Sequence, residues 1–222
     1  MGPRKFQPAD YFNPEKQMRK PRSMKALEDL GRVRLSENFY FRDFLLSEIA
    51  NFYGMPNIPE NPDLAIRFGS RLCQELLEPL QATFGRIGIR SGYRAMEVTD
   101  FGNKHLGRGS IKSNSAYHIW DLPDQQGYGA AASIVIPWFA DRFQDGADWR
   151  SLAWWIHDHL PYSHLEFYPR LSAFNIQWHE KPRRRIDSFI KPRGCLTKPG
   201  MENHDGLHAD WYKGFPRLNN GD

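Results

Sequence analysis

The chain of 222 residues contains only two cysteines, Cys73 and Cys195. One possible pair does not make a disulfide framework, and no Cys-rich zinc pattern is present. No apolar run is long enough to cross a membrane. The opening MGPRKFQPADYFNPEKQ is polar and proline-broken, unlike a secretory leader. Phe6 stands where N-myristoylation requires Ser or Thr. A Gly-x-Ser-x-Gly elbow, a phosphate-binding loop, internal repeats and low-complexity tracts are all missing. A protein made in the cytoplasm, without signal peptide or membrane span, is the expectation.

What is present suits one folded domain with tails. Hydrophobic residues make up 40% and aromatics 14%, with seven Trp and fifteen Phe. Net charge is only +4, but basic residues crowd the first 34 positions and recur at Lys181, Arg183, Arg184 and Arg185. Such runs are commonly solvated; the sharper readings are an acidic cell-wall polymer or nucleic acid. Phe6, Tyr11 and Phe12 are too few interleaved aromatics to favour nucleic acid. The division expected is a basic arm over 1–34, a folded domain over 35–182 and an extended tail over 183–222. The arm lies outside the core in this reading, with one short helix around Ser23 to Leu30. Trp211, Tyr212 and Phe215 would let the tail wrap the domain.

Within the domain, Ser36 is placed to cap a turn before Phe39. A helix is expected around Arg42 to Tyr53, stopped by Gly54. Asn61 and Pro62 open another, with Leu64, Phe68, Leu72, Leu76 and Leu80 on its buried face and Gly85 at its end. Pro79 should distort its last turns. Asp148 caps a helix carrying Leu152, Trp155, Ile156 and Leu160. Short strands are expected at Ile87–Ile89, Ala132–Ile136, His164–Tyr168 and Ala173–His179. The fold class is α+β, with helices packed on a small antiparallel sheet.

Strand alternation suggests where chemistry could lie. In FNIQWHE, Phe174, Ile176 and Trp178 share one face, and Asn175, Gln177 and His179 share the other. His164, Glu166 and Tyr168 share a face of the preceding strand. If these strands are antiparallel neighbours, a polar row lies beside a layer of aromatics. Stiff strands and bulky neighbours suit a metal or acid/base site. The plainer reading is a solvent-facing sheet surface. A second cluster, His204, Asp205, His208 and Asp210, is interrupted by Gly206. With no third cluster nearby in sequence, metal binding is not expected there. His157 and His159 read as helix-surface residues.

Ser91-Gly92-Tyr93-Arg94, Ser115 with His118, Gly129-Ala130-Ala131-Ala132-Ser133 and Trp178-His179 follow one another in an order that resembles the zinc D-Ala-D-Ala peptidases of the Hedgehog/DD-peptidase fold. The resemblance spans about Leu35 to Pro182. It implies zinc on His118 and His179, and substrate binding or polarisation by Arg94. Ser133 falls where that family has its metal-binding aspartate, and a neutral hydroxyl is a poor ligand. The interval from His118 to Ser133 is also about eight residues longer than the family's spacing. The third ligand must therefore come from Asp121, Asp124, His164 or Glu166, with Asp121 the simplest choice. Glu166 is the candidate base, and Tyr93, Gln177 and His164 are candidate substrate contacts.

Two functions follow from the resemblance. One is a peptidoglycan-directed zinc metallopeptidase, carboxypeptidase or endopeptidase, cutting D-Ala-type peptide bonds. The other is a non-catalytic binding or structural module of the same fold, in a phage-like particle or another assembly engaged through the arm and tail. Either would reach a cell wall by lysis or as a virion component.

Overall fold

A computed structural model describes residues 18–105 and 117–219. The core is a six-stranded sheet in the order β1-β2-β4-β3-β5-β6. Its strands are β1 Gly88–Ser91, β2 Gly129–Val135, β3 His164–Phe167, β4 Phe174–His179, β5 Arg185–Ser188 and β6 Gly194–Thr197. All neighbours are antiparallel except β3 and β5, which are parallel. The fold is thus α+β, but the sheet is mixed and larger than expected. The extra strands come from the segment read as an extended tail: residues 185–197 form β5 and β6.

The helices are α1 Met24–Gly31, α2 Glu48–Tyr53, α3 Pro62–Leu72, α4 Glu78–Phe84, α5 Met96–His105, α6 Pro137–Gln144 and α7 Trp149–His159. Helices, α3 and α7 foremost, pack on one face, while the start of α2 borders the other. Phe167 of β3 meets Trp149 of α7 at 5.2 Å between ring centres. Trp178 of β4 donates from Nε1 to Glu75 at 2.7 Å. Alternation sends Phe174, Ile176 and Trp178 to this layer, leaving Asn175 and Gln177 for the opposite face.

The expected second helix is two pieces, a tight turn at Phe41–Phe44 and α2. Gly54, with φ of 64°, ends α2 in the left-handed conformation that glycine adopts without strain. Asn61 caps α3 by accepting from Leu64 N, with Pro62 at the first helical position. Ser36 caps no turn; its hydroxyl donates to Glu78 at 2.6 Å.

Between α3 and α4 the helix widens to a π-turn over Cys73–Leu77. Pro79 gives the physical reason. Its ring and missing N–H disturb the carbonyl four residues earlier, and a wider turn accommodates both. The same turn keeps the four-residue spacing on one face. In a regular helix, side chains four apart drift by roughly 40° per step. Phe68, Leu72, Leu76 and Leu80 are all buried, whereas Leu64 is only partly so.

The tail wraps the domain through Tyr212 and Phe215, and the arm also contributes to the core, which corrects its expected place outside it. Leu30 of α1 is fully buried. Met18 N donates to the Asp63 carboxylate, tying the start of the described chain to α3. Trp155 Nε1 donates to Pro216 O at 3.1 Å, and Phe215 packs against Phe84, Trp138 and Phe139. Residues 1–17, with the rest of the arm's basic charge, lie outside the described residues.

Candidate functional site: a polar cleft on the open sheet face

The site begins with the end of β1. Gly92 follows Ser91, and a Cβ there would meet Phe44 Cβ at 2.6 Å and its Cα at 2.9 Å. Only glycine lets this strand pass so close to Phe44. Asn57 holds the next residues. Its amide donates to Tyr93 O at 3.0 Å, and its Oδ1 accepts from Ala95 N at 2.7 Å. Arg94 N donates to His118 O at 2.8 Å, bringing the His118 segment alongside. Arg94 is thereby fixed at a strand end, beside His118.

On β2, Ser133 pairs with Ser91 of β1 and Asn175 of β4. On β3, Glu166 pairs with Asn175. These residues converge on a cleft of about 770 Å³ whose lining includes Ser47, Glu48, Arg90, Arg94, His118, Ser133, Glu166, Tyr168 and Asn175. The polar row expected from alternation is present, with β3 and β4 antiparallel as required.

His118 is buried at the base of this cleft. Its Nδ1 lies 2.7 Å from Gly92 O, so the ring donates to that carbonyl. The Asn175 side chain also bonds the ring. Burial, and then the nearby Arg94 charge, push its pKa down to about 4. The imidazole is therefore neutral at neutral pH. Glu166 accepts from Tyr168 OH, and Asn175 Nδ2 donates to Tyr168 OH at 3.0 Å. Around His118 stand a hydroxyl, an amide and a carboxylate already engaged by a phenol.

Arg94, His118 and Glu166 are brought together; the other expected site residues are elsewhere. Asp121 accepts from Asn61 N at 2.8 Å and Tyr93 OH at 3.1 Å, joining α3 to the strand end. Tyr93 is buried by that bond, and its phenol is pushed strongly up by burial and by Asp121. Gln177 is buried and accepts from Arg183 at 2.9 Å. His164 lies 2.7 Å from Asp187 Oδ2; burial foremost holds its pKa below the usual value. None of Asp121, Tyr93, Gln177 and His164 lines the cleft.

His179 also lies outside the cleft. It pairs with Gly129, four residues along β4 from Asn175 and so about 13 Å away at the usual strand rise. Its Nδ1 accepts from Lys181 N at 2.9 Å. Its Nε2 stands 3.4 Å from Asp124 Oδ1 but forms no hydrogen bond. Asp124 also accepts from Tyr117 OH, which helps hold its carboxyl below the usual range. The small GAAAS run has a reason here: a Cβ on Gly129 would meet His179 and Tyr117 at 2.8 Å.

The zinc set expected from His118, His179 and Asp121 is therefore not assembled. The positions converging in the cleft are His118, Ser133 and Asn175. Glu166 lines the same cleft, but among the described residues no third His, Cys, Asp or Glu comes close enough to His118 and Glu166 to complete a zinc site.

Among the described residues, the group with the composition and spacing to hold a metal ion is His157, Asp158 and His208, with ligand atoms within 4.8 Å of one another. The sequence reading missed it. His157 is buried rather than on the helix surface, and α7 supplies the third ligand that the His204–Asp210 cluster lacked. The available signal was His157-Asp158 at the end of a capped helix, together with Gly206, which breaks the chain between His204 and His208.

Comparison with family models, curated proteins and solved structures finds no match. No helix among the described residues is long and apolar enough to cross a membrane.

Proposed function

We propose that the chain is a non-catalytic module of the Hedgehog/DD-peptidase fold whose cleft binds the free carboxylate end of a peptidoglycan-type peptide. The observation that carries this reading is the convergence of Arg94, His118, Ser133 and Asn175 on one cleft. Arg94, His118 and Ser133 follow the order of the peptidase motifs, while among the described residues no three His, Cys, Asp or Glu side chains come together in the cleft as zinc hydrolysis requires.

The chemistry left in the cleft suits recognition. Arg94, with Arg90 exposed at the rim, offers guanidinium forks to a carboxylate. Ser133 and Asn175 offer neutral donors and acceptors to peptide groups. Glu166 can accept from a ligand N–H beside its bond to Tyr168. A donor set with two neutral groups, Ser133 and Asn175, around one imidazole suits holding a peptide better than activating water on a metal.

The test is a titration with a peptide ending in D-Ala-D-Ala and with its C-terminal amide, followed by NMR or calorimetry. The expected result is binding of the acid form and at least tenfold weaker binding of the amide. Arg94→Ala should erase the preference. Equal affinity for acid and amide, or a preference unchanged in Arg94→Ala, would contradict carboxylate recognition.

A further inference from the structure

A second chemical cluster lies where the C-terminal segment crosses the end of α7. His157 is buried there, with Nδ1 2.6 Å from Tyr162 OH and Nε2 2.9 Å from His204 O. The Asp158 side chain is only 1% exposed. Its Oδ1 lies 2.7 Å from His208 Nδ1, and its Oδ2 accepts from His208 N at 2.7 Å and Tyr212 OH at 2.8 Å. His208 Nε2 lies 3.0 Å from Asn203 O. Trp154 stacks on the His208 ring at 3.9 Å between centres.

Each of the three residues has one polar atom anchored by a protein group. Tyr162 holds His157 Nδ1, Tyr212 and the His208 amide hold Asp158 Oδ2, and Asn203 holds His208 Nε2. That is the outer-shell pattern which orients metal ligands. An ion would take His157 Nε2, Asp158 Oδ1 and His208 Nδ1, displacing their present contacts with His204 O and with one another. A tetrahedral ion with bonds near 2.1 Å keeps its ligands roughly 3.4 Å apart. The closest pair, at 2.7 Å, has to open by roughly 0.7 Å to reach that spacing.

We propose that His157, Asp158 and His208 bind a divalent ion of the zinc class, which fastens residues 203–212 onto α7. The ion replaces the proton that His208 shares with Asp158, and His204 O gives way at His157 Nε2. The three side chains leave the fourth tetrahedral position to solvent. The enclosed position of Asp158 makes this a structural site. It shares no residue with the cleft lining, so it stands or falls independently of peptide binding.

The test uses the full chain, stripped with chelator and titrated with Zn²⁺ alone, with bound metal measured by mass spectrometry. One zinc per chain is expected, with a rise in the melting temperature. Asp158→Asn and His208→Gln should each weaken zinc by more than about tenfold, and Tyr162→Phe by ~10–100-fold. His118→Gln, in the cleft, should bind zinc as the wild type does. A wild-type chain that takes up no zinc at tens of micromolar on the order of its own concentration would overturn the proposal. So would loss of zinc in His118→Gln with retention in Asp158→Asn. Should the ligand variants fail to fold, carbethoxylation of the wild type decides. Zinc is expected to protect His157 and His208, and equal modification with and without zinc would refute the site.

Discussion

His118 shows how one buried residue links the cleft to stability. Its folded pKa, near 4, lies below the ordinary value of about 6.5. Between those values the unfolded chain binds more protons, so stability rises with pH. As the pH falls from 6.5 towards 4, keeping His118 buried and neutral comes to cost roughly 3 kcal/mol. His118→Gln should therefore flatten the acid limb of a denaturation profile over that window; an unchanged limb would contradict neutral burial. The neighbouring positions give a second prediction. Ser133 and Asn175 are cross-strand partners beside His118. Ser133→Asp combined with Asn175→His should create a zinc site in the cleft, visible as one additional bound zinc by metal analysis. No gain would mean that the three positions do not share a ligand locus. Part of this was legible in sequence, because the motif order selected Arg94, His118 and Ser133. Asn175 was not, because the Trp-His pair drew the ligand role to His179, and only cross-strand register sets which β4 residue faces Ser133.

At the scale of elements, α3 and α4 were readable from caps and period. Asn61, Pro62 and the leucine spacing identify the helix start and its buried face. The π-turn was hidden, because widening depends on how Pro79 is accommodated rather than on the apolar pattern. Leu72 is fully buried and Leu64 only partly so. Leu72→Ala should cost ~2–5 kcal/mol in denaturant unfolding, and Leu64→Ala distinctly less. Equal losses would mean that the stripe is uniformly buried. β5 and β6 escaped the sequence reading for a related reason. RIDS and GCLT are short and sit among prolines, glycines and charges, so neither carries a convincing alternation of its own. They are strands because β3 offers an open edge.

For the whole molecule, both ends of the described chain close over the core. Leu30 comes from a segment whose basic composition suggested an arm outside the core, whereas the aromatics of the tail, Phe215 among them, already pointed to packing. Composition reports the average of a segment, whereas burial is decided by single apolar side chains within it. Leu30→Ala should cost ~2–5 kcal/mol. A loss below about 0.5 kcal/mol, the size usual for surface changes, would return the segment to the solvated class.

The central claim is that the cleft retains a peptide and does not cut it. The most direct measurement is mass spectrometry of a D-Ala-D-Ala-terminated peptidoglycan peptide incubated with the full chain and added zinc. The account predicts that the peptide is recovered intact while bound to the wild type. Release of free D-Ala, abolished by Glu166→Gln or His118→Gln, would contradict it and establish the chain as a hydrolase.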